Sequence, residues 1–255
     1  MNYGLWMSAA GLSSQVHRQD VIANNLANAT TTAFKPDFTQ TLERPTATNE
    51  FGMLTSSRQL LEQLGGGVLA EPTWTNFAQG ALQESGNALD VALDGQGFFM
   101  VRDTEGNDYL TRDGAFQRSR SGHLETVRGE LVLDVRHRPI RLPDVEEGAL
   151  SITQDGTIQT GDDEVVARFA VVDPDHADLR KEGGNLFVYT SEERLQQVGN
   201  STTVRQGFTE ASATDPVLQM SRMIETSRAI EANARLIGIH DQVMNMTVNR
   251  LGAIA

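Results

Sequence analysis

After Pro216 the chain runs to Leu251 without another proline and with a single glycine, Gly238. Apolar or small residues recur along it at alternating steps of three and four: Met220, Met223, Ser227, Ile230, Ala234, Ile237, Asp241, Met244, Val248 and Leu251. That spacing is a helical seam, with a large residue at every seventh position from Met223 to Leu251. Asp215 is a good N-cap, and Pro216 falls at the one helical position that welcomes proline. A helix of about 35 residues reaches roughly 50 Å. Few domains built from 255 residues could cover it along its whole length, so this segment predicts a helix that needs partners.

A second seam lies at the other end, through Leu5, Ala9, Leu12, Val16, Gln19, Ala23 and Leu26, with Gln19 as its polar interruption. It predicts a helix roughly 35 Å long. One amphipathic helix would ordinarily pack on its own domain. Two, at opposite ends, favour pairing with each other and with neighbouring molecules. Helices of this kind are marginal alone, so the termini are expected to be loose in the single subunit and ordered on assembly. The charge is distributed to suit this. Residues 76–205 hold 13 basic and 23 acidic side chains, whereas residues 1–75 hold 4 and 6 and residues 206–255 hold 4 and 5. An acidic middle also serves simply to keep a domain in solution. The net charge of −13 disfavours nucleic acid. No apolar run approaches the roughly 18 residues of a membrane span, and no basic region followed by an apolar one marks a cleavable signal peptide. The chain has no cysteine, which excludes disulfides and thiolate chemistry. Lysine occurs only at Lys35 and Lys181, against 19 arginines, a bias that a GC-rich genome produces.

The middle reads as β. Short β-rich runs (Phe98–Val101, Tyr109–Thr111, Leu131–Leu133, Val165–Val172, Leu186–Tyr189) alternate with the turn dipeptides Asp94-Gly95, Asp113-Gly114, Ser121-Gly122 and Asp155-Gly156. Residues 36–75 mix prolines, threonines and Gly65-Gly66-Gly67 and read as an extended, loop-rich connector. The expected fold class is therefore α+β. Long N- and C-terminal helices form a coiled-coil-like core, and the middle domain is mainly antiparallel β. The expected division is 1–35 (helix and following segment), 36–75 (connector), 76–205 (β domain) and 206–255 (C-terminal helix).

Catalytic signals are weak. The five histidines are scattered, and no nucleophile elbow or phosphate-binding loop is present. Asp103, Glu105 and Asp108 surround Gly106 without the spacing of a calcium loop, and Asp162-Asp163-Glu164 reads as a solvated turn. No catalytic, cofactor-binding or metal residue is nominated, and no cofactor is expected.

Residues 21–34, VIANNLANATTTAF, carry three asparagines and three threonines but no charge. Such a stretch suits a helix end in a crowded interface. Asn24 and Asn28 are four apart and share a face, with Asn25 offset from both. A buried amide can satisfy a neighbour's backbone and fix register without a counter-ion, where an unpaired charge would cost several kcal/mol. Asn28 is also placed to cap the helix in the left-handed conformation, and Thr30-Thr31-Thr32 should stiffen the chain toward extended structure.

Ala23-Asn24-Asn25-Leu26-Ala27-Asn28 followed by Thr31-Thr32-Ala33-Phe34-Lys35 resembles the N-terminal signature of the bacterial flagellar rod and hook family, with Ala33 in place of the usual glycine. That replacement removes the residue best suited to a positive φ. The likeness continues through Gln79-Gly80-Ala81-Leu82, the run Gly86 to Phe99, Tyr109-Leu110-Thr111-Arg112-Asp113-Gly114-Ala115-Phe116 and Gly184-Asn185-Leu186-Phe187. It resumes at Gln206-Gly207-Phe208, Met223-Ile224-Glu225 and Arg228-Ala229-Ile230-Glu231-Ala232-Asn233, with Ile230 where tyrosine is common. The resemblance implies a structural subunit of the flagellar basal-body rod, of the proximal type by its Met1-to-Trp6 start. It implies export through the flagellar type III apparatus without signal cleavage. Its partners would be other copies of itself and other rod and hook axial proteins in the periplasm-spanning basal body. The residues expected at assembly surfaces are Leu5, Leu12, Val16, Asn24, Asn25, Leu26, Asn28, Phe34, Met223, Ile230, Asn233, Ile237, Met244 and Leu251. Two alternatives from other classes are an enzyme that cleaves cell-wall glycan with a carboxylate pair and a monomeric binding module on a helical stalk.

Overall fold

The computed structural model describes residues 3–43, 68–70, 72–144, 149–161, 164–191, 195, 197–198 and 202–252. Residues 44–67 of the expected connector and the Asp162-Asp163 pair lie outside these. The fold is α+β, and the described chain divides into two compact units.

The first unit takes its described residues from Met1–Ala27, Asp37–Asn76 and Asp215–Ala255. Helix α1 (Tyr3–Ala27) is followed by short strands β1 (Asp37–Phe38), β2 (Thr41–Glu43), β3 (Val68–Ala70) and β4 (Trp74–Thr75), and helix α2 spans Pro216–Gly252. The described connector residues are thus more than loop: β1 pairs with β4 and β2 with β3, both antiparallel. Phe38 stacks on Trp74 at 5.0 Å between centroids. Asp215 caps α2, its Oδ1 accepting from the amides of Val217 at 2.9 Å and Leu218 at 3.1 Å. The 37 residues of α2 make a rod of about 55 Å. The two helices pair antiparallel: Gly4 lies against His240, Gly11 against Asn233, and Gln19 bonds Ser227 at 3.4 Å.

The second unit takes its described residues from Asn28–Pro36 and Phe77–Thr214. Its strands are β5 (Leu82–Glu84), β6 (Val91–Asp94), β7 (Phe98–Arg102), β8 (Asp108–Thr111), β9 (Phe116–Arg118), β10 (Leu124–Thr126), β11 (Leu131–Val132), β12 (Leu150–Ile152), β13 (Thr157–Thr160), β14 (Val165–Arg168), β15 (Val171–Val172), β16 (Leu179–Gly183), β17 (Leu186–Tyr189), β18 (Thr203–Gln206) and β19 (Phe208–Glu210). The main sheet runs β16-β17-β8-β7-β11-β10-β9, with β15 also on β7, and β12-β13-β14 forms a smaller sheet. Every pairing among these strands is antiparallel. Strand β7 is buried on both faces, which is why its sequence is a continuous apolar run rather than an alternation. Phe99 and Val101 enter one core cluster, while Phe98 and Met100 enter another, as the two-residue period requires.

Three local expectations are corrected. Asp113-Gly114 is no turn: a Cβ on Gly114 would lie 1.6 Å from the Val91 carbonyl oxygen, so glycine is there for close backbone approach. Thr30-Thr31-Thr32 lies in turns, not in extended chain, because the Thr31 amide and hydroxyl both bond back to Asn28. The described non-glycine residues with positive φ are Ala33, His137 and Asn185, so Asn28 is not a left-handed cap, and Ala33 keeps φ of 53° without being glycine.

Candidate functional site: a buried strap and two helix faces

Residues 28–36 form a strap inside the sheet unit, and the motifs quoted above converge on it. The Thr32 hydroxyl donates to Asp113 Oδ1 at 2.9 Å, and its carbonyl accepts from Asn185 Nδ2 at 2.8 Å. Asn185 sits at φ of 62°, a conformation that asparagine tolerates and that the Gly184-Asn185 turn demands. The Ala33 amide donates to the Glu210 carbonyl at 2.7 Å, and the Phe34 carbonyl accepts from Ala213 at 3.0 Å. Lys181 Nζ donates to the Lys35 carbonyl at 2.8 Å and lies 4.2 Å from the centre of the Phe34 ring. Gln206 spends both ends of its amide in the same unit, accepting from Ile152 and donating to Ala88 and Leu150.

At the end of the strap is a charge cluster shut away from water. Lys35 Nζ is 2.5 Å from Glu210 Oε1, the two side chains being 0% and 1% exposed, and it also donates to the Ala78 carbonyl. Glu210 Oε1 accepts from the Gly80 amide at 2.8 Å as well. Arg112, 5% exposed, brings Nη1 to 3.7 Å from Glu210 Oε2 and donates from Nη2 to the Gly95 carbonyl. Its Nε and Nη1, and Glu210 Oε2, have no hydrogen-bond partner. Two cations therefore share one carboxylate. Burial pushes the Lys35 ammonium below the ordinary lysine range, against the pull of Glu210, and burial likewise lowers Arg112. Sequence reasoning missed Glu210 as the partner of Lys35 and Arg112 as the second cation beside it. A lysine in an arginine-dominated chain was the one available hint.

The expected assembly residues divide into three groups. Phe34 is buried in the strap, and Asn25 is 1% exposed with its amide spent on the Asp37 backbone, donating at 2.7 Å and accepting at 3.0 Å. In the single chain Asn25 is thus engaged by the backbone twelve residues on, and Phe34 by Lys181 across its ring. Leu5, Leu12, Leu26, Asn28, Met223, Ile230, Asn233 and Ile237 are half-buried, while Val16, Asn24 and Met244 are exposed. Leu251 lies outside the residues whose side chains are described.

Between the helices the seam differs from the apolar one expected. Gly4 meets His240, Gly11 meets Asn233 and Gln19 meets Ser227, while Ser8 and Ile22 on α1 and Gln219 and Thr226 on α2 are buried. A Cβ on Gly4 would meet the His240 ring at 2.7 Å, so small residues set the helix spacing. The face of α2 turned away from this seam carries apolar side chains toward both ends, with the exposed Arg228, Glu231 and Arg235 between them. Val217, Met220 and Ile224 near one end, and Ile239, Val243 and Met246 near the other, are all exposed, Ile224 by 57% and Ile239 by 55%. On α1, Trp6 is 77% exposed.

The acidic loop resolves into ordinary turn chemistry. Asp103 Oδ1 accepts from the amides of Glu105 and Asn107, and Asp108 pairs with Arg102 at 2.6 Å. No cluster of three or more potential metal ligands occurs among the described residues, and none of their helices is long and apolar enough to cross a membrane.

Three family models match the chain: the flagella basal body rod protein model over residues 7–35, the flagellar hook protein FlgE/F/G D1 domain over 92–160, and the flagellar basal body rod FlgEFG protein C-terminal model over 205–251. The chain is 33% identical to the flagellar basal-body rod protein FlgF of Caulobacter vibrioides, across 96% of this chain and 97% of that one. It is 31% identical to FlgG of Buchnera aphidicola, across 94% and 96%, and 31% identical to FlgG of Borreliella burgdorferi, across 98% of each.

Proposed function

Because the chain belongs to the flagellar basal-body rod protein family, we propose that it builds the axial core of the rod through helices α1 and α2. The protein is a structural subunit of the flagellar basal body and not an enzyme, so the glycan-cleaving alternative falls. The observation that carries the assembly reading is that α2 exposes large apolar side chains on the face turned away from α1. One face packs on α1, and the other, with Ile224, Ile239 and Val243, stands in water in the single chain. Large apolar side chains grouped in this way on an exposed helix face mark a surface that takes a partner.

In the assembled rod these faces pack against sister copies and against other rod and hook axial proteins, as a coiled-coil-like core. Leu5, Leu12, Val16, Asn24, Leu26 and Asn28 on the α1 side, and Met223, Ile230, Asn233, Ile237, Met244 and Leu251 on α2, form or border that core. The core-forming segments are 1–35 and 206–255, with helices α1 and α2 as their main part. Residues 36–75 act as connector and 76–205 as the outer domain. The subunit reaches the rod through the flagellar type III export apparatus, with no signal cleaved. Relatives named FlgF and FlgG match it alike, and the proximal position rests on the Met1-to-Trp6 start alone.

Ile230→Pro removes a ladder hydrogen bond and forces the ring into the preceding turn, at about 3 kcal/mol or more to the helix. The sheet unit should stay folded while rod assembly and motility are lost. Motile cells carrying this variant would refute the helical-core reading. Asn24→Asp places one charge where the core would bury it, and is expected to reduce incorporation more than it lowers the melting of the soluble chain.

A further inference from the structure

The last strands of the sheet unit are paired with some of its first. Strand β18 lies on β6 and β19 on β5, the Ala211 amide bonds Ala81, and the Ala213 amide bonds Phe34. Residues 203–214 thus cover the edge of a structure whose other strands are all earlier in the chain. Their one buried carboxylate, Glu210, lies 175 positions from Lys35. Before that segment docks, Lys35 and Arg112 face the same interior with no carboxylate in ion-pair contact; the exposed Asp173 acts on Arg112 only at longer range.

We propose that Glu210 is an electrostatic latch: the sheet unit stays open around the strap 31–35 until residues 203–214 bring this carboxylate between Lys35 and Arg112. Two buried cations without a counter-ion repel each other in a low-dielectric interior and must stay hydrated. Closure therefore waits for the segment that immediately precedes α2 in the sequence. If the subunit passes through the export apparatus proposed above as an open chain, the latch would delay closure until the C-terminal part has followed. The latch itself does not depend on export.

The test uses the purified full-length chain and amide exchange at residues 31–35 and 91–94. Glu210→Gln keeps the acceptor for Gly80 and the side-chain shape but removes the charge. It should lower protection at those amides at least 100-fold. Lys35→Met leaves the Arg112–Glu210 pair and should lower protection less than tenfold. The triple variant K35M/R112M/E210M removes all three charges. It should restore protection to within tenfold of wild type and refold at least tenfold faster. Protection in Glu210→Gln within threefold of wild type would overturn the latch. So would a triple variant as unprotected as Glu210→Gln, or one that refolds no faster than wild type, because either result would mean that the charges are not what closure waits for.

Discussion

Ala33 shows how much a single position can be held by its surroundings. Its φ of 53° costs an alanine roughly 1–2 kcal/mol relative to a right-handed conformation. The strap bonds here, from the Ala33 amide to the Glu210 carbonyl and from the Ala213 amide to the Phe34 carbonyl, hold the backbone in place. A β-branched side chain there would add steric conflict in a site with 1% exposure. Ala33→Val should therefore destabilise the sheet unit by about 2–3 kcal/mol, read as a lower urea midpoint. Asp113 makes a second prediction. Burial pushes its carboxyl above the ordinary aspartate range; bonds from the Ala115 amide and the Thr32 hydroxyl oppose this, and the nearby Asp90 adds to it. The folded state then holds this proton more tightly than the unfolded chain does. Its contribution to stability is greatest in acid and is lost as pH rises from about 4 through the raised pKa. Asp113→Asn keeps the acceptor oxygen and should flatten that part of the stability profile in urea titrations between pH 4 and 7.

At the scale of elements, α2 is the informative one. Its N-terminal boundary follows from Asp215 and Pro216, and the structure places the cap bonds there. The seam was only half legible. Met223, Ile230 and Ile237 are half-buried and Ser227 meets Gln19 of α1, but farther along the helix Asn233 and His240, not the exposed Ala234 and Asp241, lie against α1. Both rows fit the same three-four alternation, and only the partner helix selects one. It does so through Gly4 and Gly11, which let polar side chains sit close to its backbone. The apolar row left over is the one available to neighbours. The paired substitution Ile239→Ser with Val243→Ser removes exposed apolar surface, so it should change the melting of the single chain by less than about 0.5 kcal/mol while sharply reducing incorporation into rods. Equal incorporation in a competition with wild type would show that this face is not used.

For the whole molecule, the two units differ in what supports them. The sheet unit has two core clusters and a strap bonded on both sides. The helical unit rests on a seam of small and polar residues with much of α2 apolar toward solvent. In dilute solution, amide exchange should be slow in β7, β8 and β17 and faster by several orders of magnitude toward both helix ends, tightening on assembly. Uniformly slow exchange along both helices in the isolated chain would mean that the subunit needs no neighbour to order them.

By itself the sequence determined the two terminal helices, the cap on α2, the β character of the middle and, through its motifs, the family. All of these are encoded by residues within a turn, a strand or a short signature of one another. Only the tertiary structure decided what the signature is for. Lys35 and Glu210 are 175 positions apart, Thr32 and Asp113 are 81, and Asn185 reaches Thr32 across 153. Periodicity has no reach over such distances: it records which face of an element is apolar, not which distant side chain will meet it. The asparagine-rich stretch looked like an interface because buried amides need partners, and for Asn25 the partner is its own chain, folded back at Asp37.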